Sequence, residues 1–279
     1  MTLSERLQSI DRRVIYLILA AVIVGVLLHP IGMPIRVGKE TQTVYAALDA
    51  LKPGSLFVLS FDYSASNVPE LHPSAIAMLK HAFSKNVRVV LTALSPEGGM
   101  WANDALGVAL QKYPDKRYGV DYINIGYKPG GQVFLEKLAT NVKDACANTD
   151  ASGKPLDSFP IMKDFRTAAD VSLAASMTAG EPGYPQWIAN YGEPNKVPIT
   201  AATVAVGVSG AIPLVTSGHL KGVLKGMRGA AEYELLIKDK GTAVAGMDAQ
   251  SLGHLTIVFF VLVGNIGYFL QRARARGRS

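Results

Sequence analysis

Two long runs without a charged residue lie near the ends of this chain of 279 residues. The first covers residues 14–28 and stays apolar as far as Ile35, and the second covers residues 253–270. A helix needs about 20 residues to span the hydrocarbon core of a bilayer, so the runs predict transmembrane helices over residues 14–35 and 253–270. A cleaved signal peptide is the alternative for the first run, although no small-x-small cleavage site follows Leu28.

Arginines flank the outer end of each apolar run. Arg6, Arg12 and Arg13 precede the first run, and four arginines follow the second within residues 272–278. Because positive charge beside a span stays on the cytoplasmic side, both tails are predicted to be cytoplasmic in an integral protein of the cell (inner) membrane. The predicted segments are a tail of residues 1–13, an extracytoplasmic domain of residues 36–252 between the two spans, and a basic tail of residues 271–279.

Charge and cysteine content exclude some classes of protein. The chain has 28 Lys and Arg against 22 Asp and Glu, a net charge of +6. Much of this excess lies in the two tails, so the predicted domain is nearly neutral and lacks the basic patch of a nucleic-acid-binding protein. Cys146 is the single cysteine, which excludes an intrachain disulfide.

Between the two runs, short continuous apolar segments alternate with segments of helical periodicity. The strand-like segments are residues 56–61, 87–94, 121–127, a stretch within 170–177, and 201–208. The helix-like segments are residues 73–85, 101–113, 132–147, 186–191 and 219–237. This alternation is typical of a parallel sheet covered by helices on both faces. We therefore predict an α/β domain with a Rossmann-like, doubly wound, mostly parallel sheet of about five strands.

Small and polar residues follow each predicted strand, and α/β sheets bind their ligands at that edge. The candidate ligand-binding residues in these loops are Asp62, Ser64, Ser66, Glu97, Lys128, Gly130, Gly131, Glu181 and Ser209. Helix caps and tight turns need the same residue types. If the loops converge, the carboxylates could serve a hydrolase as acid and base, although Ser209 lacks the spacing of a nucleophile elbow.

The loop after the first predicted strand reads Asp62-x-Ser64-x-Ser66. This pattern resembles the metal-ion-dependent adhesion site of von Willebrand factor A domains, and the resemblance implies a divalent cation such as Mg²⁺ held by hard oxygen ligands. It covers five residues only, and Thr92 lies inside a predicted strand instead of the loop that supplies the family's threonine. The alternative is an aspartate at a strand end followed by a serine that caps the next turn.

Lys128-Pro-Gly130-Gly131 connects a predicted strand to a predicted helix. Backbone N–H groups and a lysine in such a turn could hold an anion. The spacing is that of neither a Walker A loop nor a G-x-G-x-x-G turn, and any tight strand-to-helix turn also favours glycine.

Small residues suggest association between helices. Gly222, Gly226 and Ala230 recur every four residues in the predicted closing helix, and Asn265 lies within the second apolar run. A buried amide in lipid seeks a partner on another helix. The stretch 217–234 is similar to a family of uncharacterised prokaryotic two-span membrane proteins over much of the domain, and that likeness implies the architecture but no activity.

Two predicted anchors favour a fixed position over free diffusion. The leading hypothesis is therefore a membrane-anchored, non-enzymatic subunit or assembly module whose partners are the lipid bilayer and either itself or other membrane-complex subunits. One alternative is a membrane-tethered receptor for a small solute or metal ion at the strand ends, through Asp62, Ser64, Glu97 and Lys128. The other is a hydrolase that uses the same crevice.

Overall fold

A computed structural model describes residues 11–276, apart from the side chains of residues 274–275. The described chain forms two compact units. One is the α/β domain, Ile35–Ala243, and the other is a helical unit formed by the described residues on either side of it.

The domain contains six strands in one sheet, and every neighbouring pair is parallel. The strands are β1 (Leu56–Asp62), β2 (Arg88–Ala93), β3 (Tyr122–Tyr127), β4 (Val171–Thr178), β5 (Ile199–Thr203) and β6 (Val223–Lys225). Their spatial order is β3-β2-β1-β4-β5-β6, which is the order of Rossmann sheets. The prediction of a parallel α/β sheet is thus confirmed, with one strand more than expected.

Eight helices of nine or more residues are present in the described chain. They are α1 (Arg12–Leu28), α2 (Lys39–Asp49), α3 (Val68–Ser84), α4 (Gly98–Lys112), α5 (Gln132–Thr140), α6 (Val208–Ser217), α7 (Gly226–Leu236) and α8 (Thr242–Arg276). Shorter helical turns are Ala65–Asn67, Val142–Ala145, Leu156–Ser158, Pro160–Lys163, Ala168–Asp170, Tyr184–Trp187, Ile188–Gly192, Glu193–Asn195 and Ala205–Gly207.

Both faces of the sheet are covered, because alternate residues of each strand pack into two different cores. On β1, Phe57, Leu59 and Phe61 contribute to the core under α2, α3, α4 and α7. Leu56 and Val58 contribute to the other core, under α5 and the turns around Trp187. All seven residues of β1 are buried, which explains why this strand reads as a continuous apolar run.

The predicted closing helix over residues 219–237 is wrong in its first third. Val223 and Leu224 pair with β5 as a short edge strand, and α7 begins only at Gly226. Gly226 has a φ of 53°, which glycine adopts at little cost, so the chain turns sharply there from strand to helix.

This change removes the predicted stripe of small residues. Gly222 precedes β6 and is not helical, so Gly222, Gly226 and Ala230 share no helix face. A Cβ at Gly222 would lie 2.5 Å from Thr43 Oγ1, and Ala230 is fully buried. These residues therefore pack the domain's own interior and do not present a surface to a second copy.

In the helical unit, α8 contains an apolar segment, Thr242–Ala273, of 32 residues. Among the described residues it is the one helix long and apolar enough to span a bilayer, and it supports a membrane anchor at the C-terminal end. The predicted run of residues 253–270 lies inside it. The helix begins 11 residues before that run, so the predicted domain limit at residue 252 falls within α8.

The apolar helix α1 has 17 residues and ends at Leu28, short of the roughly 20 residues that a span needs. A Cβ at Gly253 of α8 would lie about 4 Å from the side chains of Leu19 and Ile23 on α1. After α1, the N–H groups of Gly32 and Met33 donate to the Asp248 carboxylate at 2.6 and 2.8 Å. The chain after Leu28 is therefore held against α8 but does not continue α1 as a helix.

Candidate functional site

The loops that follow β1 to β5 all lie at one edge of the sheet, because the strands are parallel. We call this the carboxyl edge. The two halves of the sheet wind away from each other between β1 and β4, and related sheets bind ligands in the crevice at that point. The sequence places Asp62 there, at the end of β1.

Asp62 is buried and fully engaged. Its Oδ1 accepts hydrogen bonds from Ser60 Oγ at 2.5 Å and from Leu94 N at 2.8 Å. Its Oδ2 accepts from Ser176 Oγ at 2.7 Å and from Trp187 Nε1 at 3.1 Å. The carboxylate therefore joins β1, the loop after β2, β4 and the turn Tyr184–Trp187.

Burial raises the pKa of Asp62 to about 6, and the four donors oppose this shift by stabilising the charged form. Each oxygen already accepts two hydrogen bonds, so the lone pairs that would face a cation are occupied. The predicted metal role of Asp62 does not fit this geometry.

Ser64 and Ser66 also turn away from a metal site. Their hydroxyl oxygens are 3.1 Å apart, and both donate to Asn67 Oδ1, at 3.2 and 3.3 Å. Glu97 Oε2 accepts from the backbone N–H of Ala65 at 2.7 Å. These contacts order the loop after β1. Ser64 lies at the N-cap of the turn Ala65–Asn67 but makes no capping hydrogen bond with its side chain, so the predicted serine cap is wrong.

The contact between Glu97 and the backbone N–H of Ala65 also argues against a bound nucleotide at this loop. Dinucleotide-binding Rossmann sheets place glycines after the first strand so that backbone N–H groups can approach a pyrophosphate. Here residues 63–67 contain no glycine, and the Glu97 carboxylate occupies the N–H of Ala65. An anion at this position would meet a negative charge.

The other predicted site residues do not converge on Asp62. Lys128 Nζ donates to the backbone oxygen of Thr149 at 3.2 Å, away from the crevice. Gly130 and Gly131 have φ values of 120° and 50° and form the tight turn before α5.

Glu181 and Ser209 are exposed at the same edge. Within residues 11–276, no hydrogen bond joins either side chain to the other candidate residues or to a histidine. In the described part of the chain, these predicted residues therefore form neither an acid–base pair nor a nucleophile with its base.

Two Tyr–His–Asp arrangements on α3 were missed from the sequence. In the first, the Tyr63 hydroxyl is 2.7 Å from His72 Nδ1, and His72 Nε2 is 2.9 Å from Asp104 Oδ2. Asp104 can only accept, so Nε2 of neutral His72 carries the hydrogen and Nδ1 accepts from Tyr63. Burial lowers the pKa of His72, although Asp104 opposes this.

The second arrangement repeats the first, nine residues further along α3. His81 Nδ1 is 2.7 Å from the Tyr233 hydroxyl, and His81 Nε2 is 3.3 Å from Asp49 Oδ1. The imidazole also stacks on Tyr45, with ring centroids 4.6 Å apart. Burial again lowers the histidine pKa, and Asp49 opposes it. Both histidines are buried, so they connect α3 to its neighbours and do not face a substrate.

No family model, curated protein or solved structure matches this chain.

The carboxyl edge exposes apolar side chains to solvent. Five large apolar side chains are exposed in Ile35–Ala243, and four of them lie in or beside the loops of this edge. Their exposed fractions are 57% for Met100, 37% for Tyr127, 55% for Val133 and 88% for Val206. The fifth, Tyr118, precedes β3 at the opposite edge.

Proposed function

We propose that this protein is a membrane-anchored, non-enzymatic subunit or assembly module whose α/β domain docks a second protein at the carboxyl edge. The observation that carries the proposal is that Met100, Tyr127, Val133 and Val206 are all exposed at one edge of the sheet. A contiguous exposed apolar patch marks an interaction surface, and we propose that these side chains contribute to one.

The charged groups of this edge are largely committed to the domain's own backbone. Glu97 accepts from Ala65 N, and Glu70 Oε2 accepts from Ala205 N at 2.8 Å. Lys128 donates to Thr149. A partner would therefore be recognised by apolar contact and shape, which favours a protein with an apolar, weakly charged face.

The exposed apolar residues are spread along the edge in a row from β3 to β5. Tyr127 and Val133 follow β3, and Val206 follows β5, four strand positions away. With strands about 4.8 Å apart, the row is on the order of 19 Å long. A protein surface can cover this length, whereas a small solute cannot.

Two buried glutamates on α7 hold both ends of the domain. Glu232 Oε2 accepts from Gly38 N at 2.9 Å and from Thr41 Oγ1 at 2.7 Å, at the start of α2. Two residues later, Glu234 accepts from Gly241 N at 2.9 Å and from Ala243 N at 3.1 Å, at the start of α8. Carboxylates satisfy the free N–H groups of a helix start well. The chain thus enters and leaves the domain beside one helix.

We also propose how the chain is oriented in the membrane. The proposed anchor is α8, and the proposed second span is α1 together with the apolar chain up to Ile35, with both termini in the cytoplasm and the domain outside. This follows from the arginines beside the two apolar runs and the positive-inside rule. Two anchors would hold the protein in place in the membrane, as suits a fixed subunit.

The docking surface can be tested with the double variant Met100→Glu and Val206→Glu. We expect native membranes to yield a complex larger than the 29.7 kDa chain and the variant to migrate as the chain alone, because a desolvated charge at an apolar interface is unfavourable. The measurement is native gel electrophoresis after mild solubilisation, with two differently tagged copies to distinguish self-association from a foreign partner.

The matched control is Gln111→Glu, which adds a charge to an exposed residue at the other end of α4. It should leave the complex intact. Equal migration of wild type and double variant, or loss of the complex in the control, would contradict the docking surface.

The orientation can be tested by labelling. Lys154→Cys places a thiol in an exposed loop of the domain, while the native Cys146 is buried. A membrane-impermeant maleimide should label this variant on intact cells, because the domain is proposed to lie outside. Labelling that requires permeabilised cells would place the domain in the cytoplasm. Ser279→Cys, in the proposed cytoplasmic tail, should be labelled only after permeabilisation.

A further inference from the structure

A cavity of about 600 Å³ opens at the edge of the sheet opposite the carboxyl edge. One wall is the end of α5 with the turn Val142–Ala145, and the other is the segment of residues 157–167 that precedes β4. The backbone N–H of Val142 donates to the backbone oxygen of Arg166 at 2.9 Å and joins the two walls. The volume lies within the usual range for small-molecule sites.

The carboxylates around this cavity already have partners. Asp157 pairs with Lys143, and Asp164 pairs with Arg88 at 2.8 Å. Asp170 Oδ2 accepts from two backbone N–H groups, those of residues 166 and 167, at 2.9 and 3.0 Å. Asp157 and Asp164 are therefore paired with cations other than Lys163 and Arg166, and Asp170 is hydrogen-bonded to the backbone.

Two cations that line the cavity have no such partner. Within residues 11–276, neither Lys163 nor Arg166 forms an ion pair, and both are exposed. Arg166 Nε donates to the backbone oxygen of Lys163 at 3.1 Å. This bond holds the guanidinium beside Lys163 and leaves its two terminal nitrogens available.

The cavity also has apolar walls. Met162 is buried, and the half-buried Phe159 packs edge-on against Tyr118, with ring centroids 5.3 Å apart. Gly119 lies under the same ring, where a Cβ would be 2.4 Å from a carbon atom of Phe159. The aromatic ring is thus fixed in position next to the two unpaired cations.

We propose that this cavity binds a phosphate monoester with an apolar body. The guanidinium of Arg166 matches two phosphate oxygens at once, and Lys163 adds a second positive charge. A phosphate monoester carries close to two negative charges at neutral pH, which balances this pair. Its apolar body packs against Phe159 and Met162. The same chemistry is offered by a soluble phosphorylated metabolite and by a phosphomonoester lipid headgroup.

The test uses the full chain in nanodiscs of neutral lipid and 1-naphthyl phosphate as the probe, with isothermal titration calorimetry. We expect saturable binding that weakens as salt rises, because screening reduces the attraction. Lys163→Gln and Arg166→Gln should each weaken it by about tenfold or more. The control Lys196→Gln removes a charge that lines a different cavity of the same edge and should leave binding within about twofold.

Three outcomes overturn the assignment. They are a lack of saturable binding, equal losses in Lys163→Gln and Lys196→Gln, and binding of neutral 1-naphthol as tight as that of the phosphate. Inorganic phosphate should bind more weakly than the probe, and equal binding would refute the apolar contribution.

A second experiment distinguishes the two sources of the ligand. Nanodiscs that contain phosphatidic acid should compete with the probe if the ligand is a lipid headgroup, and they should leave the affinity for the probe unchanged if the ligand is a soluble metabolite.

Discussion

Asp62→Ala is expected to lower the melting temperature of the full chain by about 6–12 °C. The change leaves four buried donors without an acceptor, and each such group costs on the order of 1–3 kcal/mol. The loss is partly offset, because the carboxylate itself is costly to bury, as the rise of its pKa to about 6 indicates. A net loss of about 3 kcal/mol in a domain of this size corresponds to that shift in melting temperature.

The measurement is a thermal melt in detergent at neutral pH, followed by tryptophan fluorescence. Asp62→Asn keeps the shape of the side chain, but its NH₂ group replaces an oxygen that accepts two hydrogen bonds. The amide would then face two donors, so this variant should also have a lower melting temperature. Glu97→Ala is the control: its carboxylate is exposed and holds one backbone N–H, so the change should be small. A melting temperature of Asp62→Ala within about 2 °C of wild type, or a shift of wild type with Mg²⁺ that the variant loses, would contradict a structural role.

The sheet was predictable where a strand is long and buried on both faces. Residues 56–61 read as a strand because every position of β1 is covered, and the loops at the carboxyl edge follow from that. The strand β6 could not be found in this way. It has three residues, and the glycines at 222 and 226 imitate a helical repeat although each is needed for close packing or a turn.

The site was less predictable than the sheet, because its contacts join distant parts of the chain. The sequence identified Asp62 at a strand end, but Ser176 and Trp187 are 114 and 125 residues away. Without these two partners, Asp62 reads as a carboxylate that is free to bind a metal ion. Exposed apolar residues such as Val206 were missed for a related reason, since an apolar residue in a sequence is assigned to the core unless the fold shows it outside.

The two histidines on α3 were also missed as a pair, because their partners come from four different elements. Tyr63 follows β1, Asp104 lies on α4, Asp49 on α2 and Tyr233 on α7. The one signal in the sequence was a pair of histidines in the same helix. Nothing local showed that each would accept from a tyrosine and donate to an aspartate.

These histidines should make the domain sensitive to acid. Burial lowers the pKa of His72 and His81 below the unfolded value, so the unfolded chain binds more protons in the window below about pH 6.5. The stability they contribute is fully present above that pH and is lost as the pH falls. Protonation of Nδ1 also removes the acceptor for each tyrosine hydroxyl, and Tyr233 is fully buried.

Other groups titrate in different windows or with the opposite sign. The pKa of Asp49 is lowered by its hydrogen bond to His81, so its loss of stability comes at lower pH than that of the histidines. Asp62 has a raised pKa of about 6, so its contribution increases as pH falls through 6 and opposes the histidines. Lys85, which directly follows α3, pairs with Asp49 at 3.2 Å, and its positive charge also lowers the pKa of His81.

The test compares wild type with the double variant His72→Gln and His81→Gln at pH values from about 7.5 to about 5. Glutamine can still accept from tyrosine and donate to aspartate but does not titrate, so we expect the melting temperature of the double variant to fall less over this range than that of wild type. The control His219→Gln changes a half-exposed histidine and should follow the wild-type curve. Parallel curves for wild type and double variant would show that the buried histidines are not the acid-sensitive groups.

A second double variant, His72→Leu and His81→Leu, leaves both tyrosine hydroxyls without an acceptor. Its free energy of unfolding should fall by about 2–6 kcal/mol already at pH 7.5, because the cost then comes from the missing acceptor instead of the proton.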